Sequence, residues 1–435
     1  MSVSPTEEEL KDALVTLKHQ NPSLGISKIY ALLLRTYPNW TVSEKRTRKI
    51  LQNEGLVLSS TSIKRSTIVY PSSRVIPQLD VTQWTNKVEV TFYDQQKGKG
   101  LIATSDIEEG EVIWKEDPFI IAPEWDLFDL QLKSTACAYC TTPLVDSPIA
   151  GSPIPCPASI SSAFCPARFC NRLCLSRSAK THPLLCPAQN PASVPLMKWT
   201  KDRQWMALHA LAQCMSRILL ASQKDEATLR ADWEVMRGLA ALGMEERFNY
   251  SFKSTGNAEP DRSSWKKAHQ LCVQAFKEPK TVPEKKKLAR LLKKPLPADV
   301  ERELFEYDPC FLRNLGSMSL NLEGHGGLYT LHSHLNHSCR PNASVRHLDQ
   351  RTALSRITIV AKRPIKKGEE LLISYVNPEL RYETRQSELQ GWGFGSCRCQ
   401  RCLEEEKQAK EKPEVPVPSG MEDLESELKA GLGVM

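Results

Sequence analysis

Residues 331–345 read LHSHLNHSCRPNASV, with three histidines, one cysteine and two asparagines in a short run. Its apolar residues follow neither the two-residue alternation of a strand nor the three-to-four spacing of a helix. Three readings of Asn336-His337-Ser338-Cys339 compete: half of a metal site, the sharp turn of an active site, or a glycosylation sequon. The rest of the chain decides between them.

The chain has 435 residues, 40% of them hydrophobic, enough for about three domains with ordinary cores. No apolar run approaches the roughly 18 residues of a membrane span, so no membrane partner is expected. The opening residues, MSVSPTEEEL, are polar and acidic, unlike a secretory signal. An intracellular protein is expected, and the sequon reading falls. A net charge of +7 permits work near nucleic acid without requiring it. Fourteen cysteines in an intracellular chain point to metal or catalysis before disulfides. Seven lie between 137 and 186 and three between 397 and 402. The scattered Cys214, Cys272 and Cys310 read as buried small hydrophobes.

The texture changes several times along the chain. Residues 1–58 read as three short helices, a helix-turn-helix-like module whose third helix carries Lys45, Arg46, Arg48 and Lys49. Two uses stand for it: contact with DNA or RNA, or a protein-interaction module with a solvated charged face. Residues 59–86, rich in Ser, Thr and Pro, read as a linker. Short strands are expected over 87–130. Residues 195–310 read as a helical insertion with His209 in its core. Within it, PEKKKLARLLKKP (283–295) is either a nuclear localisation signal or a solvated helix face. Strand texture resumes over 311–380, and 403–435 reads as an acidic disordered tail. One β domain interrupted by two insertions accounts for this split. His332, His334 and His347 read as ordinary strand or loop histidines.

The 137–186 segment offers Cys137, Cys140, Cys156, Cys165, Cys170, Cys174, His182 and Cys186. Seven thiols and one imidazole are the complement of two tetrahedral zinc ions. A Pro- and Ser-rich segment of this size buries little core, so metal binding would supply its folding energy. The order of ligands resembles a MYND zinc finger, although eight residues separate Cys156 from Cys165 where that family has a CxxC. The resemblance implies an interleaved pairing: Cys137, Cys140, Cys170 and Cys174 on one ion, and Cys156, Cys165, His182 and Cys186 on the other. It also implies a protein partner at the finger.

GWGFGSCRCQRC (391–402) carries Cys397, Cys399 and Cys402, which leaves a zinc one ligand short. Cys339 can complete it, making three zinc ions in all. NHSCRPN, then GEELLISY (368–375), then an aromatic-rich CxCxxC resemble the SET-domain lysine methyltransferases, with KGKGLIATSDIEEGEVI (97–113) resembling the family's first cofactor loop. The inserted finger is similar to that of the SMYD-like branch, and the whole is nearest the fungal members, which include the yeast histone H4 lysine methyltransferase. The implied fold is α+β and multidomain. A mostly-β, pseudoknotted SET fold is interrupted by the finger and the helical insertion, with a post-SET zinc segment at 391–402.

The resemblance also implies roles. Lys97, Gly98, Lys99 and Gly100 would line the carboxylate side of S-adenosylmethionine, and Asn336 would meet its amino-acid end. The His337 backbone would meet its adenine, and Phe394 would stack on that ring. Trp392 falls where relatives carry a tyrosine in the lysine channel. Tyr375 would be catalytic, orienting and stabilising rather than abstracting a proton, since a tyrosine near pKa 10 is a poor base at pH 7. The implied substrate is histone, the H4 tail first, in the nucleus and also in the cytoplasm. A non-histone substrate such as a ribosomal protein, and a catalytically idle chromatin adaptor, stand as alternatives.

Overall fold

The computed structural model describes residues 3–21, 26–54, 70–144, 152–251, 261–347, 355–393 and 395–411. The chain divides into two compact units, Met1–Ile68 and Val69–Met435.

The first unit holds helices Glu7–Gln20, Ile26–Thr36 and Glu44–Asn53. Thr6 and Glu9 close a capping box on the first: the Thr6 N–H donates to Glu9 Oε2 at 2.8 Å, and the Glu9 N–H donates to Thr6 Oγ1 at 3.3 Å. Leu10, Leu14, Ile29, Leu33, Ile50 and Leu51 recur at helical spacing and meet in one small core. On the third helix Lys45, Arg48 and Lys49 are exposed. Arg46 differs: its guanidinium donates to Pro5 O at 2.9 Å and Ser4 Oγ at 3.2 Å, so it ties the helix to the N-terminal segment.

Among the described residues, the second unit contains eleven short strands: β1 (Val88–Asp94), β2 (Gly98–Ala103), β3 (Val112–Glu116), β4 (Ile120–Ile121), β5 (Ile154–Pro155), β6 (Arg168–Phe169), β7 (Gly327–Leu328), β8 (Asn336–His337), β9 (Ala343–His347), β10 (Ile357–Ala361) and β11 (Leu372–Ile373). β1 and β2 form an antiparallel hairpin, with Phe92 opposite Lys99. β10 is central in a three-stranded sheet, with Ile359 opposite both Trp114 of β3 and Val345 of β9. All five residues of β10 are buried, which explains its unbroken ITIVA run. β11 lies parallel to β8, Leu372 beside Asn336 and Ile373 beside His337. Leu101, Ile113, Trp114, Leu331, Ile357, Ile359 and Leu371 fill the core beneath these strands. The first and last thirds of the unit therefore build one β framework.

The intervening helices pack around Met206–Lys224, which is buried along most of its length. Glu226–Gly238, Arg262–Phe276 and Leu312–Asn321 surround it in one apolar core containing Trp233, Trp265, Phe276 and Phe311. Helical structure thus runs past the expected boundary at 310. Cys214 and Cys272 are buried there as expected, whereas Cys310 is only half-buried. The expected linker is in part folded structure. From Tyr70 the chain is described, Ser72 pairs with Ala241 through backbone bonds of 2.9 and 2.8 Å, and Ile76 is buried in the helical core. Ser and Pro content conceals such anchors because a single apolar residue suffices to pin an extended strap. The expected tail likewise begins as helix, Gln400–Glu411, while its remainder from 412 lies outside the described residues.

Candidate active site and metal centres

The hairpin β1–β2 and the β8–β11 pair converge on one cavity of ≈ 120 Å³ lined by Lys97, Lys99, Ser333, Asn336, Tyr375 and Trp392 among others. A larger cavity, ≈ 910 Å³, lies between finger and helices, but none of the SET motif residues reaches it, so size does not locate the site.

Close backbone approach explains the glycines. Gly98 has φ +72, and a Cβ there would sit 2.3 Å from Ser73 Oγ. A Cβ on Gly100 would sit 2.6 Å from the Tyr93 ring and 3.0 Å from Asn336 Nδ2. The bare backbone lets Asn336 Nδ2 donate to Lys99 O at 2.9 Å and to Glu370 Oε1 at 3.0 Å. Both amide protons are thereby committed, which leaves the Asn336 side-chain oxygen as an acceptor.

The two lysines of the loop have different fates. Lys97 pairs with Glu370 and lies 3.8 Å over the Tyr93 ring. Lys99 is only 3% exposed, its Nζ meets Ser333 Oγ at 3.4 Å, and burial pulls its pKa down to about 7. A buried amine facing a cavity is suited to a carboxylate from a ligand.

Tyr375, at the end of β11, donates its hydroxyl proton to Leu335 O at 2.7 Å. Its ring lies 5.0 Å from Trp392 and 5.3 Å from His337, and burial pushes its ionisation well above the usual range. The Tyr375 N–H donates to His337 Nδ1 at 3.0 Å. That bond makes Nδ1 the acceptor and puts the ring proton on Nε2, which faces Cys339 Sγ at 3.3 Å. The His337 side chain therefore links β11 to a cysteine cluster, a use that backbone contact with a cofactor does not foresee. Phe394 lies outside the described residues.

Two further residues hold the site and were assigned no role from the sequence. Asn342, 1% exposed, accepts from Leu372 N at 2.8 Å and donates to Glu370 O at 2.7 Å. It fastens the NHSCRPN segment to GEELLISY, the threading expected of the pseudoknot. Glu116, 2% exposed, accepts from Leu331 N at 2.8 Å, His332 N at 3.0 Å and Trp114 Nε1 at 3.2 Å. Burial pushes its pKa up to about 7, against the pull of those N–H groups.

Three groups of four ligand atoms, each within 4.8 Å of one another, assemble from the cysteine-rich segments: Cys137, Cys140, Cys170 and Cys174; Cys156, Cys165, His182 and Cys186; Cys339, Cys397, Cys399 and Cys402. In the first, Cys140 Sγ is 3.4 Å from Cys170 Sγ and 3.7 Å from Cys174 Sγ. In the second, His182 Nε2 is 3.4 Å from Cys156 Sγ and 3.6 Å from Cys165 Sγ. In the third, Cys402 Sγ is 3.5 Å from Cys339 Sγ. A tetrahedral zinc with Zn–S of about 2.3 Å separates its sulfurs by about 3.8 Å, whereas a disulfide requires about 2.05 Å. The clusters fit three zinc ions. The buried Arg385 guanidinium sits 4.0 Å from Cys402 Sγ and also bonds Leu380 O and Glu405. It places a cation beside thiolates whose summed charge exceeds that of one zinc ion.

The SET domain family matches residues 98–376, the span from the Gly98 turn to the residue after Tyr375, and the chain belongs to that family. Among curated relatives, the histone-lysine N-methyltransferase SET5 of Yarrowia lipolytica is 29% identical over 423 residues, 94% of this chain and 85% of the relative. The protein of that name from Saccharomyces cerevisiae is 27% identical over 445 residues, 93% of this chain and 76% of the relative. Rubisco LSMT bound to AdoMet, a solved structure, is similar at 14% identity and a TM-score of 0.33, over 81% of this chain and 55% of that one.

Proposed function

We propose that the chain is an S-adenosylmethionine-dependent protein-lysine N-methyltransferase acting on histone, with the H4 tail as first substrate. The observation that carries this is the convergence of Lys99, Asn336 and Tyr375 on one cavity, within a SET domain whose relatives are named histone-lysine methyltransferases. S-adenosylmethionine supplies an electrophilic methyl on a sulfonium. Lys99 would hold its carboxylate and the Asn336 oxygen its amino group. Tyr375 donates its proton to Leu335 O, which orients the hydroxyl, and its oxygen would polarise the methyl and orient the incoming amine. At pH 7 about one lysine in 2,500 is neutral, a cost of about 4.6 kcal/mol. The apolar faces of Tyr375 and Trp392 lower that cost by excluding water from the ammonium.

A histone substrate puts the working pool in the nucleus. Lys285, Lys286 and Arg290, exposed on helix Val282–Leu291, would serve as the import signal, and cell fractionation would show whether a cytoplasmic pool exists beside it. The finger would take a protein partner, and Lys45, Arg48 and Lys49 would contact DNA. Among the described residues no helix is long and apolar enough to cross a membrane.

The test is transfer of radiolabelled methyl to histone octamers, nucleosomes, an H4 peptide and ribosomal proteins, followed by mass spectrometry of the modified lysine. Labelling of H4 is expected. Stronger labelling of a ribosomal protein would move the substrate class. Cofactor binding without labelling of any protein would leave an idle adaptor.

A further inference from the structure

We infer a fourth metal site, distinct from the three thiolate clusters, formed by Glu323, His325 and His347 for a divalent transition metal. Its three ligand atoms lie within 4.8 Å of one another. Two imidazoles and a carboxylate are a nitrogen- and oxygen-rich set that suits zinc or its first-row neighbours, and three protein ligands leave a coordination position open.

The local fold presents this set. After helix Leu312–Asn321 the chain makes a tight turn, with Glu323 N bonded to Gly327 O at 2.9 Å and Gly326 N to Glu323 O at 2.8 Å. Gly326 has φ +86, and a Cβ there would sit 1.6 Å from Ala122 O, so the turn accepts no other residue. Glu323 and His325 leave the turn together. His347 arrives from the far end of β9, and the two imidazole rings lie 4.1 Å apart at 67°.

The hydrogen bonds around His325 leave one nitrogen waiting. Tyr329 Oη gives its only proton to Ser355 O and lies 2.7 Å from His325 Nε2. The tyrosine oxygen must therefore accept, so Nε2 carries the ring proton and Nδ1 is a bare lone pair. That Nδ1 is buried and has no hydrogen-bond partner. A ligating histidine commonly has its other ring N–H bonded in this way, which fixes the tautomer and aims the free nitrogen. Glu323 Oε1 lies 3.1 Å from Nε2 of the buried His332, a contact that lacks hydrogen-bond geometry, so it does not hold the carboxylate. In a tetrahedral site, ligand atoms about 2.1 Å from the metal lie about 3.4 Å apart, and rotation of the exposed His347 ring supplies the closure.

The site borders the proposed active site. Glu323 lines the same cavity as Asn336 and Tyr375, so a bound ion would neutralise a carboxylate beside the channel. Metal binding itself does not depend on the methyl-transfer reading.

The experiment uses the full chain with its zinc content first measured by mass spectrometry. Zinc-replete protein is then titrated with ZnCl2 by calorimetry in a non-coordinating buffer. One additional site per chain is expected. His347→Ala, a change at an exposed position, should weaken it at least 100-fold while the prior zinc content stays at three. Tyr329→Phe should weaken it about 10- to 100-fold, because the hydroxyl that orients the His325 ring is gone while all three ligands stay in place. Absence of further binding in the wild type, or an unchanged isotherm for His347→Ala, overturns the site.

Discussion

Tyr375 and Lys99 face the same cavity with opposite protonation problems. Tyr375 is held protonated by burial and by Leu335 O, so removing only its hydroxyl should remove orientation and polarisation. Tyr375→Phe is expected to lower methyl transfer by at least 100-fold, about 2.7 kcal/mol, with cofactor affinity within a few fold. Calorimetry showing cofactor binding abolished would make the residue structural. Lys99 has its pKa lowered to about 7 by burial. It is largely neutral at pH 8, and an arriving carboxylate restores its charge. Cofactor binding at pH 8 should therefore take up close to one proton, and at pH 6 almost none. Above pH 7 affinity should fall by up to tenfold per pH unit, a dependence that Lys99→Met should abolish. Equal heats in buffers of different ionisation enthalpy at pH 8 would contradict this role.

At the scale of elements, short strands are held by side chains that replace missing ladder bonds. β8 and β11 have two residues each, too short to persist alone, and Asn342 and His337 bridge them. Asn342→Ala leaves the half-buried Leu372 N–H and Glu370 carbonyl without their side-chain partner, a cost of about 1–3 kcal/mol. Hydrogen exchange at 369–373 should accelerate markedly, and unchanged protection there would remove the stapling role. The two kinds of zinc cluster should separate in the same way. Cys399→Ser should loosen the segment beside Trp392 and reduce cofactor binding. Cys170→Ser should disorder the finger and leave cofactor affinity nearly intact. Thiol titration and cofactor calorimetry on both variants check this. Much of the arrangement was legible in the sequence, because thiolate spacing and the NHSC run are local patterns with one chemical use. The structural roles of Asn342, Glu116 and Arg385 were not. Asn342 and Glu116 are common polar residues whose partners lie far along the chain, 28 residues for Asn342 and Glu370 and 215 for Glu116 and Leu331, while Arg385 bonds nearer residues, Leu380, Cys402 and Glu405, with no spacing that marks it. The Ser72–Ala241 strap and the helix beyond Gln400 escaped for the opposite reason, since composition reported polarity where a few anchoring residues decide the structure.

At the scale of the molecule, charge is mildly positive overall, which does not favour long-range attraction to a basic tail. Chromatin would instead be met through DNA phosphates. Activity on nucleosomes should fall steeply with salt and activity on an H4 peptide only weakly, since phosphate neutralisation releases counterions. Replacing Lys45, Arg48 and Lys49 by Ala should reduce the nucleosome salt slope by about 0.9 for each phosphate no longer neutralised. Equal salt dependence on both substrates would remove DNA docking. The β framework has a further consequence. Arg356 grips Asp117 with bonds of 2.7 and 2.8 Å across 239 residues of chain, and β3 finds its partner β10 over a similar span. A ribosome adding about 5–20 residues per second leaves β3 and its apolar Ile113 and Trp114 without a sheet for roughly 12–50 s. The helical core, whose apolar residues are mostly close in sequence, can form during that wait. The catalytic fold cannot begin to close until synthesis has passed β10, so a nascent chain this long, with an orphaned strand near its start, should be a strong client for chaperones that hold unpaired edges.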